Sequence, residues 1–430
     1  MFAHCKSDRT RKLLAAVVAL LALVLASAAP AYADKKKPAP AADTTKPGDK
    51  RVTGYFDISK IVWPNPPAIA RIRFVDIYTG EKIDPSLFAK KKEQPKQKWM
   101  DRLAGAKPAN EVQIKDLPFQ LIRTYGVAVD SKGLIYAADQ GVDAIFIFNP
   151  ETKAVEFIAN GRQAHLGMIT GLAMDDNDRL FVGDAKLHRV DIFNSKHQLE
   201  AALGGDVLAT PAGIAIDTEN RFVYVADTQN DVVDVFDADS FKLLRKIGTP
   251  GKKHTLTAPG TFSLPEGVAV DKDGNVYVTD TFNDRVEIFD ADGGFISAFG
   301  KNGDGPPDFE RPKSIAVDCD GHIWVADATQ DRVKVFDQEG RLLIYFGQHG
   351  YYPGQFMGLW GLAIDKNNRV ITSETFPGRV QVFRYVTDAE AAAEKKRRED
   401  GDQKSGSAPA QEKPTSEQAV SAAGKDSAAK

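Results

Sequence analysis

Cysteine is almost missing from this chain. Its 430 residues hold two, Cys5 and Cys319. Cys5 precedes an apolar run, from Leu13 to about Ala26, that opens behind Lys6, Arg9, Arg11 and Lys12. That pattern, closed by Ala31-Tyr-Ala33, reads as a secretory signal cut after Ala33. A lipoprotein would carry its cysteine at the cut, so lipidation is not expected. After cleavage only Cys319 remains, and no intramolecular disulfide can form. Cys319 lies in the turn Asp318-Cys-Asp-Gly321 and reads as a turn residue. Nor is there a C-x-x-C-H, so the chain attaches no c-type haem. No G-x-S-x-G offers a nucleophile. The apolar run is short against the ~20 residues of a membrane span, although an uncleaved anchor is the alternative. A basic excess is also missing. The leader carries four basic residues and Asp8, so its removal moves the net charge from −3 to −6. A nucleic-acid partner would want a basic face and is not expected.

Repetition is what the chain does have. Residues 264–290 read LPEGVAVDKDGNVYVTDTFNDRVEIFD. GVAVD is a short β-branched run ending on an acid, and Lys272-Asp-Gly-Asn275 is a tight turn, since Asp-Gly accepts positive φ. VYVT is a second strand, Asp280–Asp284 a second turn, and the alternating Val286–Phe289 a third strand. Phe295–Phe299 follows as a fourth. Five segments echo the unit, with first strands closing on Asp130, Asp175, Asp217, Asp318 and Asp365 beside Asp271. The steps are 45, 42, 54, 47 and 47 residues. Such a period with four strands per unit marks a β-propeller. The second strands end on Asp139, Asp184, Asp227, Asp280, Asp327 and, departing, Glu374; the third strands end on Phe148, Phe193, Phe236, Phe289, Phe336 and Phe383.

The motif P-E-G-V-A-V-D-x-D-G-N-V-Y-V-T-D-T-x-N-D-R-V at residues 265–286, recurring six times in register, resembles the NHL repeat. The resemblance covers about residues 126–383 and implies a six-bladed propeller. The Pro-rich lead at Trp63 and the R-I-R-F strand are similar to an exported bacterial subgroup. For that subgroup the resemblance implies a protein or other envelope partner, within a redox or secretion assembly, and a periplasmic or extracellular location. Related six-bladed propellers include a zinc-dependent amidating lyase and calcium-dependent lactonases.

The expected fold is all-β: six four-stranded antiparallel blades, with the ring closed by an N-terminal strand. Only the sixth repeat lacks a fourth strand, and an open last blade would expose a sheet edge. Residues 70–78, alternating and strand-like, can fill the gap. The expected organisation is 1–33 signal peptide, 34–61 flexible linker, and 62–78 Pro-rich lead and closing strand. Then follow 79–123, an insertion with a short helix at 97–104, 124–386, the repeats, and 387–430, a charged disordered tail in which 389–398 could be helical. A monomer with no stable membrane span after cleavage is expected.

The acids ending the first strands read as turn initiators. Those ending the second strands recur in nearly every unit, so a structural duty outweighs a metal site: the carboxylate would accept amides of the following turn. Non-repeating positions say more about function. The residue before each first-strand Gly should sit at the channel mouth: Tyr125, Thr170, Ala212, Glu266, Lys313 and Trp360. Loops after the second strands add Gln140, Lys186, His188, Gln229, Phe282, Gln330 and Phe376. This varied set suits partner binding, against the plainer reading of a solvated rim. Trp360, in Met357-Gly-Leu-Trp-Gly361, is expected to be a contact residue; the competing idea is a core plug. No cofactor is expected. A catalytic zinc wants several histidines, and the six outside the leader occupy different repeat positions. Glu266 is the only acid at the mouth, whereas calcium wants six or more oxygens. The expectation is therefore a non-catalytic binding or scaffold protein, with a metal-dependent hydrolase or lyase as the alternative.

Overall fold

The computed structural model describes residues 57–80, 120–159, 164–249 and 257–405. The signal peptide with its cut after Ala33, and the helix expected at 97–104, lie outside them. Six antiparallel sheets follow one another along the chain. Blades 1 to 5 each hold four strands in the order of the sequence, starting at Thr124, Ile169, Pro211, Pro265 and Pro312. The sixth holds Leu359–Ile364, Arg369–Thr375 and Gly378–Tyr385 from its own repeat. Its outer positions are taken by Ile72–Tyr78, paired antiparallel with Gly378–Tyr385, and by the two-residue strand Val62–Trp63. Phe74 faces Phe383 in that register and Tyr78 faces Val380. Pro64, Pro66 and Pro67 follow Val62–Trp63 at the sheet's outer edge, where a missing amide costs no ladder bond.

Local chemistry shapes each blade. In blade 4 the Asp271 carboxylate accepts the amides of Asp273 and Asn275, each at 2.9 Å, and Gly274 takes φ +82°. This turn joins the first strand to the second. Second and third strands are buried over most of their length, because neighbouring blades cover both faces. The Phe ending each third strand is at most 1% exposed and fills the space between blades. At the axis the blades approach too closely for side chains. A Cβ on Gly213 would meet the carbonyl oxygen of Glu266 at 2.6 Å, and one on Gly267 would meet that of Lys313 at 2.6 Å. The same contact recurs at Gly126, Gly171 and Gly361, where the chain turns back onto blade 1 through Tyr125. Ser314 stands at this position in blade 5, and its hydroxyl accepts the Leu362 amide at 3.2 Å.

Two expectations need correction. Residues 57–61, assigned to the linker, instead contain a one-turn 3-10 helix, Ile58–Lys60, whose N-cap Asp57 accepts the Ser59 amide at 3.2 Å. The charged tail, in which 389–398 could be helical, forms the longer helix α1, Asp388–Ser405. Its Ala, Glu, Lys and Arg content favours helix, and Thr387 with Glu390 makes a capping box. The Glu390 amide donates to Thr387 Oγ1 at 3.3 Å and the Thr387 amide to Glu390 Oε2 at 3.1 Å. Arg73 of strand Ile72–Tyr78 pairs with Glu394 at 3.0 Å, and Arg71 pairs with Asp388. The helix is thus tied to strand Ile72–Tyr78.

Candidate channel-mouth site

The first strand of every blade begins where the second ends: Pro265 faces Asp280, and Thr124 faces Asp139. The residues before the first-strand glycines and the loops after the second strands therefore share one face of the ring. The acids closing the second strands hold that face together. Asp280 accepts Ser263 N and Asn283 Nδ2, each at 2.7 Å, and Arg285 Nε at 2.9 Å. Asp227 accepts the amides of Ala209 and Thr210, each at 2.8 Å. Glu374 accepts the Met357 amide at 2.8 Å and Arg379 Nε at 2.7 Å. The amides come mainly from the segment entering the blade, 16–18 residues upstream for the aspartates. The following turn, the partner expected from sequence, contributes too, as in Gly141 N to Asp139 at 2.7 Å. Each of these six acids is fully buried.

At the axis a cavity of about 90 Å³ is lined by Thr170, Ala212, Glu266, Lys313 and Trp360 among others. Tyr125, the sixth predicted position, leans on Trp360 with ring centroids 4.6 Å apart. The six positions are brought together. Lys313 and Glu266 form an ion pair, with side chains 8% and 14% exposed. The Lys313 ammonium also lies over the Trp360 ring, 4.3 Å from its centroid. Burial pushes the Glu266 carboxyl up, against the pull of Lys313, and pushes the Lys313 ammonium down, against the pull of Glu266. Mutual attraction opposes desolvation in both groups. Thr170 is spent on the fold, donating to Pro211 O at 2.7 Å.

The loop residues divide. Gln140 donates to Ile169 O at 2.7 Å and Gln330 to Gly303 O at 2.8 Å, so both amides brace backbone. His188 Nδ1 meets Ala209 O. Lys186 and Gln229 are exposed. Phe282 and Phe376 are exposed at 50% and 60%, and the Arg311 guanidinium sits 5.2 Å from the Phe282 ring centroid. Sequence reading missed Arg311, whose charge is felt by both Glu266 and Lys313. It also missed Ile122, Tyr351 and Tyr352, exposed apolar groups in segments entering blades 1 and 6. No repeat signal could have found them, because these segments do not repeat.

A family model described as an SMP-30/gluconolactonase/LRE-like region matches residues 70–299, more than half of the chain. The chain belongs to this SMP-30/gluconolactonase/LRE-like family. A second model, described as a 6-bladed beta-propeller, matches residues 268–333. Among relatives is NHL repeat-containing protein 2 of Gallus gallus, 25% identical over 171 residues. That match covers 38% of this chain and 21% of the relative, so the chain spans about a fifth of its length. A Bacteroides thetaiotaomicron protein of unknown function has a similar fold, with 16% identity, TM-score 0.51, and coverage of 61% of this chain and 70% of that one. A gluconolactonase from Xanthomonas campestris gives 17% identity, TM-score 0.47, and coverage of 61% and 86%.

The alternative expected from sequence, a metal-dependent hydrolase or lyase, asks whether the channel fits a metal. Among the described residues, no three His, Cys, Asp or Glu side chains converge as ligands. The one carboxylate at the mouth already faces the Lys313 ammonium. This donor set does not fit a calcium or zinc ion.

Proposed function

We propose that the channel-mouth face is a recognition surface of a non-catalytic binding protein, and that Trp360 is its central contact. One observation carries this reading. Trp360 is only partly buried, at the end of the channel, between Tyr125 and Lys313. A core plug would be enclosed. Large, rigid aromatics flanked by charge are the groups on which binding energy concentrates. The exposed Phe282 and Phe376 lie on the loops after the second strands, on the same face, and add apolar surface to it. The partner this surface suits is a protein or another envelope component. Trp360→Ala tests the reading once a partner is captured. Binding should weaken by roughly 2 kcal/mol or more, with little change in melting. Normal binding by the variant sinks the proposal.

The leader sequence supports export to the periplasm or beyond. N-terminal sequencing of protein recovered from envelope or medium should begin at Asp34; a chain starting at Met1 would support an anchor instead. Among the described residues no helix is long and apolar enough to cross a membrane. A hydrolase or lyase role through a channel metal is not advanced, because the donor set does not fit one.

A further inference from the structure

The charged pair at the axis is unusual for its place. Nearby polar side chains serve the backbone: Thr170 and Ser314 of the inner strands bind Pro211 O and Leu362 N, and Ser373 of the second strand of blade 6 donates to Tyr125 O. Glu266 and Lys313 contact no backbone with their charged groups. They meet each other from equivalent positions of adjacent blades. A buried pair of this kind adds little net stability over apolar side chains, so packing alone does not account for it.

The surroundings of the Lys313 ammonium are those of a bound cation. It has a carboxylate on one side and the face of an indole on another, with a second aromatic ring, Tyr125, behind the indole. A carboxylate with an aromatic wall is the chemistry that recognises a free alkylammonium ion. Here the ion arrives on a tether from blade 5. A second cation would meet Lys313 and, beyond it, Arg311. We propose that Lys313 is the resident cation of the channel: its ammonium fills an ammonium site formed by Glu266 and Trp360, and so excludes divalent metal from the axis of this propeller.

The proposal is independent of whichever partner the face takes, and its test needs none. Truncating Lys313 to alanine removes a three-carbon ammonium, for which n-propylammonium is the free counterpart. The full chain, Lys313→Ala, and Lys313→Ala with Glu266→Gln are titrated with n-propylammonium chloride against sodium chloride of equal ionic strength. Tryptophan fluorescence and the melting temperature are read. Lys313→Ala should bind the amine saturably and regain melting temperature. The parent and the double variant should do neither. A folded Lys313→Ala that ignores the amine overturns the proposal. Calorimetric titration of the parent with calcium and zinc is the second arm. Binding of either ion that Glu266→Gln abolishes overturns it, and absence of such binding is expected. Should Lys313→Ala not fold, the charge cycle replaces it. Lys313→Met alone should melt well below the parent, because Glu266 is left buried and unpaired, and adding Glu266→Gln should recover most of the loss. No recovery would overturn the pairing on which the site is built.

Discussion

Phe74 gives the sharpest test of how the ring is finished. It lies on Ile72–Tyr78, opposite Phe383, and is 6% exposed. Its ring meets Phe383 edge-on, with centroids 5.5 Å apart and planes at 88°. Trp63 reaches the same Phe383 at 5.8 Å and Phe346 of blade 5 at 5.3 Å, so the N-terminal segment packs into the core between blades 5 and 6. Phe74→Ala removes a buried ring that its neighbours cannot easily replace. Phe-to-Ala changes in cores cost about 3–5 kcal/mol, the cavity included. For a domain of this size each kcal/mol moves the melting temperature by about 2–4 °C. The expected fall is therefore roughly 6–20 °C, toward the lower end for so large a ring. The neighbouring Val75 is the control. It points outward, is 44% exposed, and its change to alanine should stay within about 0.5 kcal/mol. Calorimetry and urea unfolding of both variants measure the difference. If Phe74→Ala melts like Val75→Ala, the N-terminal strand does not hold blade 6, and the closure argument fails.

Two further outcomes follow from the geometry. Gly213→Ala forces a methyl against the Glu266 carbonyl and should destabilise by at least the roughly 1–3 kcal/mol of an overpacked core. Gly205→Ala, with open space around it, should be near neutral in the same thermal melts. Glu287 is fully buried, facing Arg285 at 3.0 Å, and burial pushes its carboxyl up to about 7, Asp280 adding to the rise. A raised acid favours the protonated form in the folded state. The stability it lends is full below the ordinary carboxylate range and is lost as pH rises through about 7. Melting should therefore fall between pH 5 and pH 8, and Glu287→Gln should flatten part of that slope; identical slopes in both proteins would refute the assignment.

Much of the fold is legible in the sequence because each blade repeats the same obligations. Asp271 must start a turn, Gly274 must take positive φ, and Phe289 must fill the gap to the next blade. Six copies in register leave little choice of architecture. What escapes lies between repeats. The amides that Asp227 and Asp280 accept come from linking segments of unequal length, invisible to a periodic reading. The third-strand centres differ from blade to blade as Phe146, Asp191, Asp234, Glu287, Lys334 and Gln381, all fully buried. Their alternation suggests exposure by strand period alone. Each stands seven residues past the second-strand acid, under the neighbouring blade, and finds its own partner: Lys334 lies 3.2 Å from Asp327, Gln381 donates to Glu374 at 2.6 Å, and Glu287 faces Arg285 at 3.0 Å. Helix α1 was half legible. Its composition favours helix, but its salt bridges to Arg71 and Arg73 join positions more than three hundred residues apart.

The same obligations explain why the proposed recognition surface lies at the axis. Within one inner strand the glycine is fixed by the carbonyl of the next blade, and the acid four residues later by its turn. The β-branched residues between them are fixed by packing. The residue before the glycine carries no such duty. Its carbonyl oxygen meets the adjacent blade whatever its side chain is, as Thr170, Ala212, Glu266, Lys313 and Tyr125 all show. Apart from Thr170, whose hydroxyl braces Pro211 O, side-chain identity is free there, and these positions converge on one small volume. Charge and aromatic surface can change at those positions without disturbing a blade. That is why two opposite charges and two large rings can gather at this point, and nowhere else along the inner strands.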